Sequence, residues 1–240
     1  MRAIRGAAVI ALAAGAVLAA PAARSQGTAE HQSFVDGCIQ EADVFLRIES
    51  CTRVIKGGEL TGGALAWAFN NRGLAYEQVK RPERALGDYN TALVLDPNYA
   101  VGFNNRGNVR AAMGDLEGAV ADHTRAIELD PDYSHAFYNR GADFEELGDA
   151  EAALRDYDRA LAADPEYTLA RVSRAAVNCG LGNIDATVED QLALLELGHY
   201  TPKQMQEYLK DRGFYSSRID GIFGRGSRAA LRRWAEAKCP

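Results

Sequence analysis

Ala66-Trp67-Ala68-Phe69-Asn70-Asn71-Arg72-Gly73 returns thirty-four residues later as Ala100-Val101-Gly102-Phe103-Asn104-Asn105-Arg106-Gly107, and again as Ser134-His135-Ala136-Phe137-Tyr138-Asn139-Arg140-Gly141. The register holds to the end of each unit: Ala85, Ala119 and Ala153 align, as do Ala92, Ala126 and Ala160, then Asp96-Pro97, Asp130-Pro131 and Asp164-Pro165. The first and second units agree at 14 of 34 positions, and so do the second and third. A fixed period of this length means one supersecondary unit stacked on copies of itself. Within a unit, apolar and small residues recur at three and four spacing on both sides of a short break such as Gly114-Asp115 or Gly148-Asp149, so each unit reads as two helices. Asp-Pro ends the second helix, because proline disfavours helical geometry in the residue before it and has no N–H to donate.

An aromatic early in the unit, Gly at the eighth place, Ala at the twentieth and twenty-seventh and Pro at the thirty-second resemble the tetratricopeptide repeat. The resemblance implies an all-α fold, a solenoid of antiparallel helix pairs, with three regular repeats over residues 66–167. One departure stands out. The seventh place carries Arg72, Arg106, Arg140 and Arg174, and the twenty-third carries Asp88, Asp122, Asp156 and Asp190. Two positions that change together predict an Arg–Asp ion pair joining the helices of each unit, or adjacent units, whose loss of one partner would strand a charge. The ends of the array are irregular, as caps of stacked repeats are. Residues 168–200 read as a degenerate fourth repeat, and residues 33–65 as a degenerate N-terminal helical pair with its turn.

In this family the first helices of the pairs line a concave groove that holds an extended peptide or a partner helix. Mapped by position, the groove residues are Trp67, Asn70, Asn71, Leu74, Asn104, Asn105, Asn108, His135, Tyr138 and Asn139. Asparagine both donates and accepts, which suits recognition of a peptide backbone. The Lys and Arg that clamp a C-terminal carboxylate in some members are replaced by Asn70, Leu74, His135 and Asn139, which disfavours that ligand.

Of 240 residues, 47% are apolar and 25% charged, which excludes a disordered or fibrous chain. Residues 1–25 begin with Met1, Arg2 and Arg5, continue as the uncharged run from Gly6 to Ala23, and offer small residues for cleavage; this reads as a signal peptide. The Ala-rich run broken at Pro21 falls short of the ~20 strongly apolar residues of a membrane span, so no stable membrane insertion is expected after cleavage. Export to a bacterial periplasm makes disulfides the expectation for Cys38, Cys51, Cys179 and Cys239. Four cysteines allow three pairings. Cys38 and Cys51 sit on two consecutive short helices, which favours Cys38–Cys51 and, with it, Cys179–Cys239.

The charge changes sign along the chain. Residues 26–202 hold 15 Lys plus Arg against 29 Asp plus Glu, a net of −14, whereas residues 203–240 hold nine against four, a net of +5. Thr201-Pro202-Lys203-Gln204 is a capping box with proline at the first helical place, so a helix begins there and ends at Gly213. A second starts near Ser227. The Gly213-Phe214-Tyr215 end of the first helix and the Ile219-Asp220-Gly221-Ile222-Phe223-Gly224 loop resemble the peptidoglycan-binding domain of bacterial wall hydrolases. Residues 201–240 form this small helical module, and the helix around Ala186 to Leu197 stands in for a leading helix that the resemblance calls for. Asp220, Gly221 and Gly224 shape the loop; Tyr215, Arg218, Phe223, Arg225, Arg228 and Arg232 are the contact candidates, since aromatic faces stack on sugars and arginines pair with stem-peptide carboxylates.

No catalytic constellation is visible. His31, His123, His135 and His199 have no metal-ligand spacing, and His123 takes a place held elsewhere by Tyr89 and Tyr157, which reads as core. No catalytic residue, metal or cofactor is expected. Nucleic acid is disfavoured by export. The reading is a non-enzymatic periplasmic adaptor with an unidentified protein or peptide on its repeats and peptidoglycan on its C-terminal module. The alternatives are a soluble scaffold or assembly factor whose C-terminal segment is a cap, and an accessory subunit of a cell-wall hydrolase.

Overall fold

The computed structural model describes residues 29–40 and 42–239. The signal-peptide reading of residues 1–25 lies outside them. Every regular element among the described residues is a helix: α1 Ala29–Gln40, α2 Val44–Gly57, α3 Gly62–Gln78, α4 Pro82–Leu95, α5 Ala100–Ala112, α6 Leu116–Leu129, α7 Ser134–Glu146, α8 Ala150–Ala163, α9 Thr168–Gly180, α10 Ile184–Glu196, α11 Pro202–Asp211 and α12 Arg225–Lys238. The chain divides into two compact units, one up to Val109 and one from Arg110.

Local chemistry sets the helix ends. Asp43, Asp115 and Asp149 cap α2, α6 and α8 by accepting backbone N–H bonds, and Pro82 opens α4 at its first turn. At the other end Asp96, Asp130 and Asp164 adopt extended geometry before their prolines. Each also turns its Oδ1 onto the amide two residues on, that of Asn98 at 3.0 Å, Asp132 at 3.2 Å and Glu166 at 3.0 Å. Asp-Pro therefore both stops the helix and starts the turn. Between helices of a pair, Gly114, Gly148 and Gly182 take positive φ, and Lys80 bears the same left-handed conformation, φ 58°, at the equivalent place.

In the unit up to Val109, α1 and α2 form a pair bridged by Cys38–Cys51, and their core continues through Val54, Trp67 and Ala68. The glycine at the eighth place has a specific task. A Cβ on Gly73 would lie 2.7 Å from the Tyr89 ring, and one on Gly141 would lie 2.8 Å from that of Tyr157. Both tyrosines are fully buried. Their hydroxyls donate to the glutamate that ends the first helix, Tyr89 to Glu77 and Tyr157 to Glu145 at 2.9 Å. His123 takes the same place in the second repeat, fully buried, with Nδ1 2.8 Å from Asp143 Oδ2.

The Arg–Asp pairing is present within a pair, and the same guanidinium also reaches the pair before it. Arg72 forks onto Asp88 at 2.8 and 2.7 Å, Arg140 onto Asp156 at 2.7 and 2.8 Å, and Arg174 onto Asp190 at 3.0 and 2.5 Å. The remaining nitrogen of each guanidinium crosses to the helix before: Arg72 to Thr52 at 3.2 Å, Arg140 to Thr124 at 3.0 Å and Arg174 to Asp158 at 2.6 Å. Arg106 reaches Asn90 at 2.9 Å in the same way. Asp122 is met by Arg110 at 2.9 Å. A seventh-place arginine thus ties the second helix of its own pair to the second helix of the preceding one.

Two outcomes follow. Arg140→Met keeps the aliphatic stem but leaves the buried Asp156 carboxylate without its fork, so unfolding should become easier by about 3 kcal/mol, read as a melting point lower by roughly 6 to 12 °C. Glu77 is raised from 4.5 to about 6, first by burial, against the lowering effect of the Tyr89 hydroxyl. The unfolded chain loses this proton first as pH rises, so the contribution present below about 4.5 is lost by about 6 and amounts to about 2 kcal/mol. Glu77→Gln should flatten the stability–pH profile over that window in urea titrations.

Candidate functional site

The segment from Tyr200 onwards builds a small core around Met205, Leu209, Tyr215, Ala230 and Leu231. Val188, Leu192 and Leu195 of α10 complete it, with Phe214, Ile219, Phe223 and Trp234 packed at its edge. Helix α10 therefore has two faces. One carries Asp190, fully buried under Arg171 and Arg174 of α9; the other is the third wall of the C-terminal core. Cys179–Cys239 joins α9 to the residue after α12 across 60 residues. A loop of that length stabilises by about 4 kcal/mol on chain-entropy grounds, which matters for a segment too small to bury a secure core alone.

The loop between α11 and α12 is organised by one side chain. Gln206 is fully buried. Its Oε1 accepts from Gly221 N at 2.9 Å and Asp220 N at 3.3 Å, and its Nε2 lies within 2.8 Å of Asp220 Oδ1, 3.1 Å of Ile222 O, 3.1 Å of Ser227 Oγ and 3.2 Å of Tyr215 Oη. With two N–H groups the amide serves the carboxylate and shares its second hydrogen among the rest. Asp220 Oδ1 also accepts from Ile222 N at 2.9 Å, and the donors from Gln206 and Ile222 hold this carboxyl below its usual range. Gly221 supplies the positive φ, 75°, that the turn requires. The Tyr215 hydroxyl donates to Arg218 O at 3.1 Å, so one hub fixes the loop from Tyr215 to the first turn of α12.

This arrangement sorts the predicted contact residues. Tyr215 is only 7% exposed, its ring packed in the core and its hydroxyl used inside the loop. Phe223 is half-buried against the same core. Arg232 is engaged with Asp185 of α10 at 2.7 Å and Glu236 at 3.2 Å. Arg218, Arg225 and Arg228 stand exposed on and just after the loop, with Ile222 70% exposed among them. Elsewhere on the module Arg212 lies 3.7 Å over the Tyr208 ring, which meets Trp234 edge-on at 5.9 Å. Sequence reasoning assigned Gln206 no role; a glutamine beside Met205 and Leu209 on the apolar face of α11 was the available signal.

Four of the residues expected in the groove, Trp67, Asn70, Asn104 and Asn105, are buried. Asn105 Nδ2 donates to Asn70 Oδ1 at 2.9 Å, which joins two neighbouring first helices, and Trp67 packs against Cys38, Cys51 and Val54. Asn71 donates to Trp67 O at 3.0 Å, and Leu74 packs beside Ala85 and Tyr89. Asn108 and Asn139 are half-buried. His135 and Tyr138 remain partly exposed, in ring contact with Tyr167.

Residues 66–99 match the family model described as "Tetratricopeptide repeat", residues 107–148 match "TPR repeat", and residues 199–237 match "Putative peptidoglycan binding domain". The chain carries tetratricopeptide repeats and a peptidoglycan-binding-type domain. Solved structures similar to it include the MamA protein, at 20% identity and TM-score 0.60 over 79% of this chain and 96% of that one. A tetratricopeptide repeat protein from Parabacteroides merdae is 20% identical, with TM-score 0.60 over 75% and 69% of the two chains. MamA from Desulfovibrio magneticus is 14% identical, with TM-score 0.58 over 70% and 91%. At these identities the likeness concerns the tetratricopeptide fold alone. No curated protein sequence matches significantly.

Gln206→Met preserves length and apolar packing but removes the hub. Amide exchange at Gly221 should accelerate by roughly five- to 150-fold, the range that corresponds to loss of a buried hydrogen bond worth about 1 to 3 kcal/mol, while exchange within α11 stays close to that of the parent. Unchanged protection at Gly221 would show that the loop is held by other contacts.

Proposed function

We infer that the chain is a non-enzymatic periplasmic adaptor whose tetratricopeptide repeats hold a protein or peptide while its C-terminal domain holds peptidoglycan. The observation that carries this reading is the loop of the family-matched domain at residues 199–237, which is internally fixed by Gln206 and presents Arg218, Ile222, Arg225 and Arg228 outward. Guanidinium groups pair with the carboxylates of stem peptides, and a pre-ordered loop binds without a further ordering cost. Two disulfides suit an oxidising compartment. No helix among the described residues is long and apolar enough to cross a membrane. Three titratable groups with perturbed surroundings have structural partners: Glu77 with Tyr89, Asp143 with His123, Arg174 with Asp190.

A second reading, a scaffold whose C-terminal domain serves as a cap, is favoured by one observation: α10 belongs to the last repeat and to the core of the domain at once. Co-sedimentation with purified insoluble peptidoglycan separates the two. The mature protein from Gln26 should pellet with the polymer, and Arg225→Ala with Arg228→Ala should lower the bound fraction severalfold with an unchanged thermal melt. A wild-type protein that stays in the supernatant at low salt would leave the cap as the function of the domain.

A further inference from the structure

In the third repeat and the start of the fourth, four rings form a continuous patch. His135 lies 4.9 Å from Tyr167 and 6.1 Å from Tyr133, and Tyr138 lies 5.1 Å from Tyr167, all between ring centroids. Each of the four is partly exposed, whereas Tyr89 and Tyr157, whose rings serve packing, are fully buried. Tyr133 and Tyr167 hold the last place of the repeat, as Tyr99 does, while the places of His135 and Tyr138 carry Trp67 and Asn70 in the first repeat, Val101 and Asn104 in the second and Leu169 and Val172 further on, so the set of four rings comes together only at this point of the array.

The surroundings are anionic. Asp130 O accepts from Tyr133 N and Asp164 O from Tyr167 N, each at 3.1 Å, so an aspartate opens each of the turns that carry these two rings. Burial first, and nearby carboxylates with it, hold Tyr133, Tyr138 and Tyr167 above their ordinary range. Asp130 and Asp164 each use Oδ1 on a local amide. The arginines of the same elements have other work: Arg140 forks onto Asp156, Arg171 reaches Pro165 O at 2.8 Å and Asp190 at 3.4 Å, and Arg159 lies over Phe137. Aromatic faces rimmed by carboxylates attract a planar cation, and guanidinium both stacks and pairs where ammonium only pairs.

We propose that the patch of Tyr133, His135, Tyr138 and Tyr167 docks an arginine-bearing extended segment of a partner protein, the guanidinium lying on the ring faces and its charge met by Asp130 and Asp164. This names the partner chemistry within the adaptor reading and rests on that reading. The net charge of −14 over residues 26–202 draws such a segment toward the repeats before it docks.

The test is fluorescence anisotropy of the full mature chain with a fluorescein-labelled octapeptide carrying two arginines in a glycine–serine background, beside its citrulline and glutamate counterparts. The arginine peptide should bind, with the citrulline peptide weaker by about tenfold, the range of a desolvated cation–π contact. His135→Ala combined with Tyr167→Leu should weaken the arginine peptide similarly. Asp130→Asn with Asp164→Asn, which keeps the turn-forming side-chain oxygens, should do so without touching the rings, and circular dichroism melts identify any variant that fails to fold. Equal binding by wild type and both variants would overturn the patch and indicate diffuse attraction. Preference for the glutamate peptide would overturn the cationic partner while leaving a peptide-binding adaptor in place. Binding of none of the peptides would overturn the proposal and the peptide-binding half of the adaptor reading, whereas peptidoglycan retention reports on the other half alone.

Discussion

A guanidinium fork repeated at fixed register is the constraint on which this structure turns. Arg72, Arg140 and Arg174 each close two hydrogen bonds on an aspartate sixteen residues on, and spend the remaining nitrogen on the second helix of the previous pair. The aspartates are almost fully buried, so their desolvation offsets much of the Coulomb gain and the net contribution to stability is small. What the fork contributes is geometry. A planar donor set with two fixed directions admits one rotation and one offset of the helices it joins, where an apolar contact would tolerate several.

Around that fork the apolar interior is made of small residues and single large rings. Ala85 and Ala153 let the helices of a pair approach, and Gly73 and Gly141 leave room for Tyr89 and Tyr157. The hydroxyl that each ring carries inside is accepted by Glu77 or Glu145 at the end of the first helix. Burial raises Glu77 against the opposing pull of the Tyr89 hydroxyl, so it is the enclosure of the carboxyl, not its hydrogen bond, that makes one unit sensitive to pH between about 4.5 and about 6.

The C-terminal domain solves its size problem by borrowing. Val188, Leu192 and Leu195 of α10 supply the wall that two short helices cannot, and Cys179–Cys239 ties the end of the domain to α9. The interior then spends a buried glutamine on holding a loop in place. A buried amide satisfied on both sides is a stiff support for exposed side chains, and Arg218, Arg225 and Arg228 stand on it.

The sequence by itself determined the helix pairs, their period, their stops at Asp-Pro, the Arg–Asp pairing and the fold family of both parts, because each depends on residues at fixed short spacing or on a motif contiguous in the chain. Both disulfides were legible as well, the first from the proximity of its helices and the second by elimination. Tertiary structure alone decided which polar residues are surface. Asn70 and Asn105 look like ligand contacts by position, yet neighbouring first helices pack closely enough to bury them against each other. Tyr215 looks like a sugar platform, yet the core of the domain needs a large ring there and Gln206 binds its hydroxyl. Burial is a property of what lies opposite a residue in space, and the partner opposite is set by packing across the chain, which no local pattern encodes.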